Sequence, residues 1–181
     1  MIYAVGVVEI KNIPKGVEAC DDALKSAGVR LISAHPSCPG KYEILMTGSI
    51  AEVQTALEHV QGKYGHHVVD CTLMGRIDQT VIMALMGAQP EAERGALGII
   101  ETYSASSIIK AADAAVKAAK VSIVDLRLSR GMGGKGVVML TGEVGDVTAA
   151  VEAGSDYAIR QGLFSSKSIM AAPHEELWDH L

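Results

Sequence analysis

The chain has 181 residues, 49% of them hydrophobic but only 4% aromatic, with a formal charge of −5. That length allows one or two domains with cores of Ala, Val, Ile, Leu and Met, and the acidic balance excludes a phosphate-backbone partner, which needs a basic surface. No apolar run approaches the roughly 20 residues of a membrane span, the first nine residues lack the charged start of a signal peptide, and three cysteines make no disulfide framework and fit a reducing cytoplasm.

Residues 2–10 are an apolar stretch, broken only by Glu9, with β-branched side chains, the pattern of a strand buried on both faces. Residues 15–27 carry Val17, Cys20, Ala23, Leu24 and Ala27 at helical spacing, and Gly28 ends the run. Residues 29–35 read as a second strand stopped by Pro36, and 41–47 as a third. Val53, Ala56, Leu57 and Val60 define a helix over 51–64, 67–74 is a fourth strand, and 78–86 is a short helix with an acidic N-cap. The polar stretch 87–94, containing Pro90, reads as a linker. A second series follows: strand 96–102, helix 104–119, strands 121–128 and 136–141, helix 145–161, strand 165–171 and helix 174–181. The order β-α-β-β-α-β, twice, is the split βαβ or ferredoxin-like plan, so the fold class is α/β with domains at 1–90 and 91–181.

The two series are copies. Ala4-Val5-Gly6-Val7-Val8-Glu9 returns as Ala96-Leu97-Gly98-Ile99-Ile100-Glu101, a shift of 92 that also aligns Asp21 with Asp113 and Lys25 with Lys117. Beyond a two-residue insertion the shift is 94, pairing Lys41 with Lys135 and Thr47-Gly48 with Thr141-Gly142. A period this long is a whole domain, and each half is marginal in size alone, so association is expected to help stability. What differs between the copies should carry function, and the largest difference is one loop. Copy one reads Ser37-Cys38-Pro39-Gly40-Lys41 where copy two reads Arg130-Gly131-Met132-Gly133-Gly134-Lys135.

Pro39-Gly40 fixes a turn that orients the Cys38 thiol, which serves a metal and is unnecessary for packing. From spacing alone, a metal ligand and an ordinary loop cysteine both remain open. Cys20 on a helix and Cys71 on a strand read as small core hydrophobes at no metal-motif spacing, so one chain does not supply a set of thiolates to one metal site. Lys25 and Lys117 sit near helix C-termini, where the dipole favours a cation. Gly131–Gly136 is no phosphate loop, because Gly136 follows Lys135 and a strand follows the loop. Histidines 66, 67 and 174 read as turn and cap residues, since Trp178 stands where a zinc motif needs its second histidine. His35 lies close to Cys38 in sequence, which would let it tune a bound metal from outside the ligand set. No acid–base pair, nucleophile triad or phosphate loop appears, so a non-enzyme is expected.

The twice-repeated A-[VL]-G-[VI]-[VI]-E strand, the D-x-A-x-K-x-A-x-V helix ending and the loop ending in Lys before a T-G strand end resemble the bacterial microcompartment shell domain. Two tandem copies resemble the trimeric tandem-domain shell proteins, and the resemblance covers nearly the whole chain. It implies a homotrimer forming a pseudohexameric disc that tiles with other shell proteins in the bacterial cytoplasm, with Lys25 and Lys117 at the tile edge. The loop 37–41 is similar to that of the T-type shell proteins of propanediol-utilisation compartments. That similarity implies one 4Fe–4S cluster per trimer at the central pore, held by Cys38 of three chains, with Ser37, Pro39 and Gly40 shaping the pore loop. Three thiolates would leave one iron without a cysteine ligand. Such a cluster would pass electrons across the shell, with an encapsulated redox enzyme as a further partner. The alternative is a structural or metabolite-conducting tile without metal.

Overall fold

The computed structural model describes residues 4–88 and 90–181; positions 2 and 3 of the expected first strand and position 89 of the expected linker lie outside the described residues. The chain divides into two compact units, 1–77 and 78–181. Unit 1 contains β1 (Ala4–Ile10), α1 (Ile13–Ser26), β2 (Arg30–Ser37), β3 (Lys41–Gly48), α2 (Ile50–Tyr64) and β4 (Val68–Gly75). Unit 2 contains α3 (Gln79–Leu85), β5 (Ala96–Thr102), α4 (Ala105–Ala118), β6 (Ser122–Leu128), β7 (Gly136–Gly142), α5 (Val144–Arg160), β8 (Phe164–Met170) and α6 (Glu175–Trp178).

Each unit has one four-stranded antiparallel sheet, ordered β2-β3-β1-β4 and β6-β7-β5-β8, the ferredoxin-like order. The apolar runs β1 and β5 are central, and all seven residues of β1 are buried. A strand covered on both faces has no solvent side on which to alternate polar residues. Even the register irregularities repeat, between Leu31 and Ser33 in one sheet and between Ile123 and Asp125 in the other.

The first helix starts at Ile13, before the expected residue 15, because Asn12 caps it by accepting from the Lys15 amide at 3.2 Å and Pro14 suits a first turn. A capping box between Ser49 and Glu52 opens α2. The second strand runs through Pro36 to Ser37 rather than stopping at 35. β2 is an edge strand, so the missing proline N–H costs no ladder bond on its open side. The apolar stripe of α1 is only partly covered within the unit: Gly16, Ala19, Cys20 and Ala23 are buried, whereas Val17 and Leu24 are exposed.

The two units separate after Ile77, whereas the linker composition had placed a boundary after residue 90. The reason is α3, whose contacts are with β6 and α4, burying Val81, Ile82 and Ala84. Its N-terminus is fixed by Asp113, which accepts from the Asp78 amide at 2.8 Å. The final helix is one turn, Glu175–Trp178, shorter than the expected 174–181, and His174 caps it by accepting from the Glu176 amide. Among the described residues no helix is long and apolar enough to cross a membrane.

Candidate functional site: the divergent loop

The loop 37–41 connects β2 to β3, and both of its ends are held. Ser37 is buried, and its carbonyl accepts from the Gly40 amide at 2.9 Å. Gly40 has φ +84°, a left-handed conformation that glycine adopts without strain, and a side chain there would meet nothing within 4 Å. At the other end Lys41 reaches back to Glu9 on β1, forming a largely buried ion pair. Between these fixed ends Cys38 is half-buried and makes no disulfide. The turn therefore presents a thiol at the end of the sheet on a constrained backbone.

Copy two keeps the clamp and discards the thiol. Lys135 Nζ lies 2.9 Å from Glu101 Oε1 and also approaches the ring of Tyr103, with its Nζ 5.6 Å from the centroid. Glu101 accepts in addition from the Ser165 hydroxyl. The Lys135 ammonium first, and then the Ser165 hydroxyl, hold the Glu101 carboxyl below its ordinary range. Between Ser129 and Lys135, Gly131, Gly133 and Gly134 all take positive φ. The loop is bounded by the Ser129 amide donating to the Lys135 carbonyl at 2.9 Å.

The other sequence candidates have surroundings of their own. Burial raises the Cys20 thiol, with Asp21 adding to it, and pushes the Cys71 thiol up to about 11, so both stay protonated at neutral pH. Cys71 lies with Leu57, Glu58 and Leu73 along a groove beside α2, while the matching position in unit 2 is Lys167, paired to Glu152 at 2.5 Å. His35 turns to the buried Glu43, with Nε2 3.8 Å from Oε1. Lys25 and Lys117 each pair with the aspartate one turn back, at 2.5 Å. His66 and His67 sit in the short 3-10 turn before β4.

The partners Glu9 and Glu101 were not singled out from the sequence. The signal was available: a carboxylate ends the apolar central strand in both copies, and a buried acid requires a cation. The buried Ser37 hydroxyl has no hydrogen-bond partner. Among the described residues no three His, Cys, Asp or Glu side chains converge as a metal site. One chain thus offers one accessible sulfur at this turn, which fits a metal cluster only as one of several contributing chains.

Comparison with known proteins agrees with this architecture. Residues 4–77 and 96–173 each match the BMC domain. The chain is 38% identical over 178 residues to the bacterial microcompartment shell protein PduT of Citrobacter freundii, covering 98% of this chain and 97% of that one. It is 29% identical to the carboxysome assembly protein CcmO of Synechococcus elongatus, covering 98% of this chain and 68% of that protein. A microcompartment protein of Desulfitobacterium hafniense superposes with a TM-score of 0.95 at 39% identity, over 98% of both chains.

Proposed function

The chain belongs to the BMC-domain family, and from that premise we propose that it is a PduT-like microcompartment shell tile whose Cys38 loop holds a metal cluster. Three chains form a pseudohexameric disc, which joins other shell proteins around a compartment in the bacterial cytoplasm. The tile is not an enzyme. Cys38 of each chain would supply one thiolate to a 4Fe–4S cluster shared by the three chains, and the buried Ser37, together with Pro39 and Gly40, would set the loop that presents it. The cluster, when bound, supplies one-electron transfer, and an encapsulated redox enzyme is the partner that would use it.

The observation that carries this reading is the asymmetry of the loops. The clamp, Lys41 to Glu9 and Lys135 to Glu101, is kept in both copies, whereas the thiol on its rigid turn occurs in one. A threefold assembly needs a ligand on one copy only, because symmetry supplies the other two.

The test is anaerobic purification, with iron and acid-labile sulfide measured per trimer, followed by electron paramagnetic resonance of the dithionite-reduced protein. Cys38→Ser is expected to lose the visible absorbance and the resonance nearly completely while the oligomer stays folded. Equal signals from Cys38→Ser and wild type would overturn the assignment. A colourless wild-type trimer would leave a structural or metabolite-conducting tile.

A further inference from the structure

Two acids lie side by side inside unit 1 where unit 2 has one. Glu9 on β1 and Glu43 on β3 are register partners on neighbouring strands, and they are 3% and 0% exposed. Both point away from the helices, because Val8, Ile10 and Ile44 at the alternate positions belong to the core formed with α1 and α2. Lys41 pairs with Glu9, and His35 on β2 faces Glu43.

His35 is the register partner of Glu43, with Nε2 3.8 Å from Oε1 and its side chain 21% exposed. Its other nitrogen, Nδ1, lies 3.3 Å from the Pro36 carbonyl oxygen. A carbonyl only accepts, so Nδ1 carries a hydrogen in this contact and Nε2 is the nitrogen left facing the carboxylate. A bare imine nitrogen and a bare carboxylate repel through their lone pairs, and one proton on either removes the repulsion. Burial of Glu43 strengthens that demand, because an ionised carboxylate out of water is costly without a charge to answer it. Unit 2 differs at both positions together. Val137 stands for Glu43 and Arg127 for His35, and Arg127 pairs with its neighbour Asp125. A permanent cation and an apolar residue thus replace a base and an acid that can exchange a proton.

We propose that His35 and Glu43 hold one exchangeable proton between them and bind it more tightly when negative charge is added at Cys38. Strand β2 carries His35 and Ser37 on one face and then enters the Cys38 turn, so the Cα atoms of His35 and Cys38 are at most about 11 Å apart. A unit charge at that distance within protein changes the affinity of a site for a proton by roughly tenfold. The other charged groups on this face are Lys41, paired to Glu9, and Asp70 on β4, which accepts from the Thr72 hydroxyl at 2.7 Å. Helix α1 packs on β2 from the opposite side, where Ala34 lies. The coupling to Cys38 rests on the cluster reading of that residue. One electron from an external reductant lowers the cluster by one oxidation state, and one proton from water goes to the His35–Glu43 pair, so the added charge is compensated.

Two measurements test the pair. In the Cys38→Ser protein, which lacks the cluster ligand, nitrogen-15 magnetic resonance of labelled histidines reads the protonation of His35, identified by the signal missing from His35→Gln. Adding Glu43→Gln is expected to weaken proton binding at His35 at least tenfold, seen as a transition moved at least one pH unit lower. In protein with Cys38 intact, purified without oxygen, the midpoint potential is measured by dithionite titration followed by electron paramagnetic resonance, from about pH 5 to about 8. The wild type is expected to become harder to reduce as pH rises, by a total that matches a tenfold change in proton affinity, about 59 mV. His35→Arg combined with Glu43→Val, the pair that unit 2 already accommodates, is expected to fold and to hold a potential independent of pH. A His35 transition unmoved by Glu43→Gln would overturn the shared proton. A wild-type potential independent of pH, or the same pH dependence in the double variant, would overturn the coupling and leave the cluster standing. A colourless wild type would overturn the cluster and the coupling together.

Discussion

In unit 1 a glycine on the first helix, Gly16, packs against Tyr42 on the third strand. In unit 2 the same two positions hold Ile108 on the helix and Gly136 on the strand. A Cβ added to Gly16 would come within 2.3 Å of the Tyr42 side chain, and one added to Gly136 within 2.2 Å of Ile108. Bulk has moved from strand to helix while the space between them stayed filled, as close packing demands. Differences of this kind preserve the fold and say little about function. The loop at Cys38 and the exposed Val17 and Leu31 are differences of another kind, because their counterparts in unit 2 are a glycine-rich loop and the buried Ile109 and Ile123. They are the differences that packing within a unit does not explain.

The clamps allow the sharpest test of this comparison, because they are shared but unequally buried. Glu9 is 3% exposed, so Lys41→Ala leaves a buried carboxylate without its cation and is expected to destabilise by about 3 kcal/mol in chemical denaturation. Lys135→Ala should lose less, because Glu101 and Lys135 are both partly solvated and Ser165 remains on the carboxylate. If the two variants lose equally, burial is not what separates the clamps. The acid limb follows from the Glu101 shift. Its folded pKa is depressed, so the stabilisation is present above the unfolded value near 4.3 and fades as pH falls through the folded one. Lys135 is raised by Glu101, so its share is complete below about 10.4 and is lost as pH rises through the folded value. Lys135→Ala should therefore flatten the pH dependence of melting at both ends.

A smaller effect tests the exchanged volumes. Gly136→Ala overpacks the site against Ile108 and is expected to cost about 2 kcal/mol. Ile108→Ala in the same chain should recover part of that loss, so a double-mutant cycle read by urea unfolding should give a favourable coupling. Strict additivity would mean that the strand shifts to admit the methyl group and that the two positions are not a packed pair.

The smallest expected effect on the folded chain concerns Lys25 and Lys117, which pair with Asp21 and Asp113 at similar distances. We expect Lys25→Ala to change melting by little, because an exposed ion pair contributes little, and Lys117→Ala by somewhat more, because Asp113 is mostly covered and also holds the Asp78 amide. Both should nevertheless weaken sheet formation seen by electron microscopy while leaving the trimer mass unchanged. Unaltered sheets in both variants would remove these lysines from the tile edge.

The sequence by itself determined the duplication, the element order and the identity of the central strands. Those properties are local or periodic: β1 is apolar at every position but Glu9, α2 repeats at helical spacing, and Ala4–Glu9 recurs at Ala96–Glu101. The divergent thiol at Cys38 was visible for the same reason, since aligned copies reveal a substitution without coordinates. Tertiary structure decided the rest. Pro36 lies within a strand because β2 is at an edge, a fact of sheet order that no local pattern encodes. Glu9 meets Lys41 across 32 residues of sequence because β1 and β3 are neighbours. Val17 shares its helical stripe with Cys20 and Ala23, yet they are buried and it is exposed, because periodicity identifies an apolar face but not what covers it. The position of α3 on β6 and α4 likewise depends on long-range packing and on the single amide that Asp113 accepts. Burial and partnership between distant residues are properties of the folded chain, set by which elements become neighbours in three dimensions.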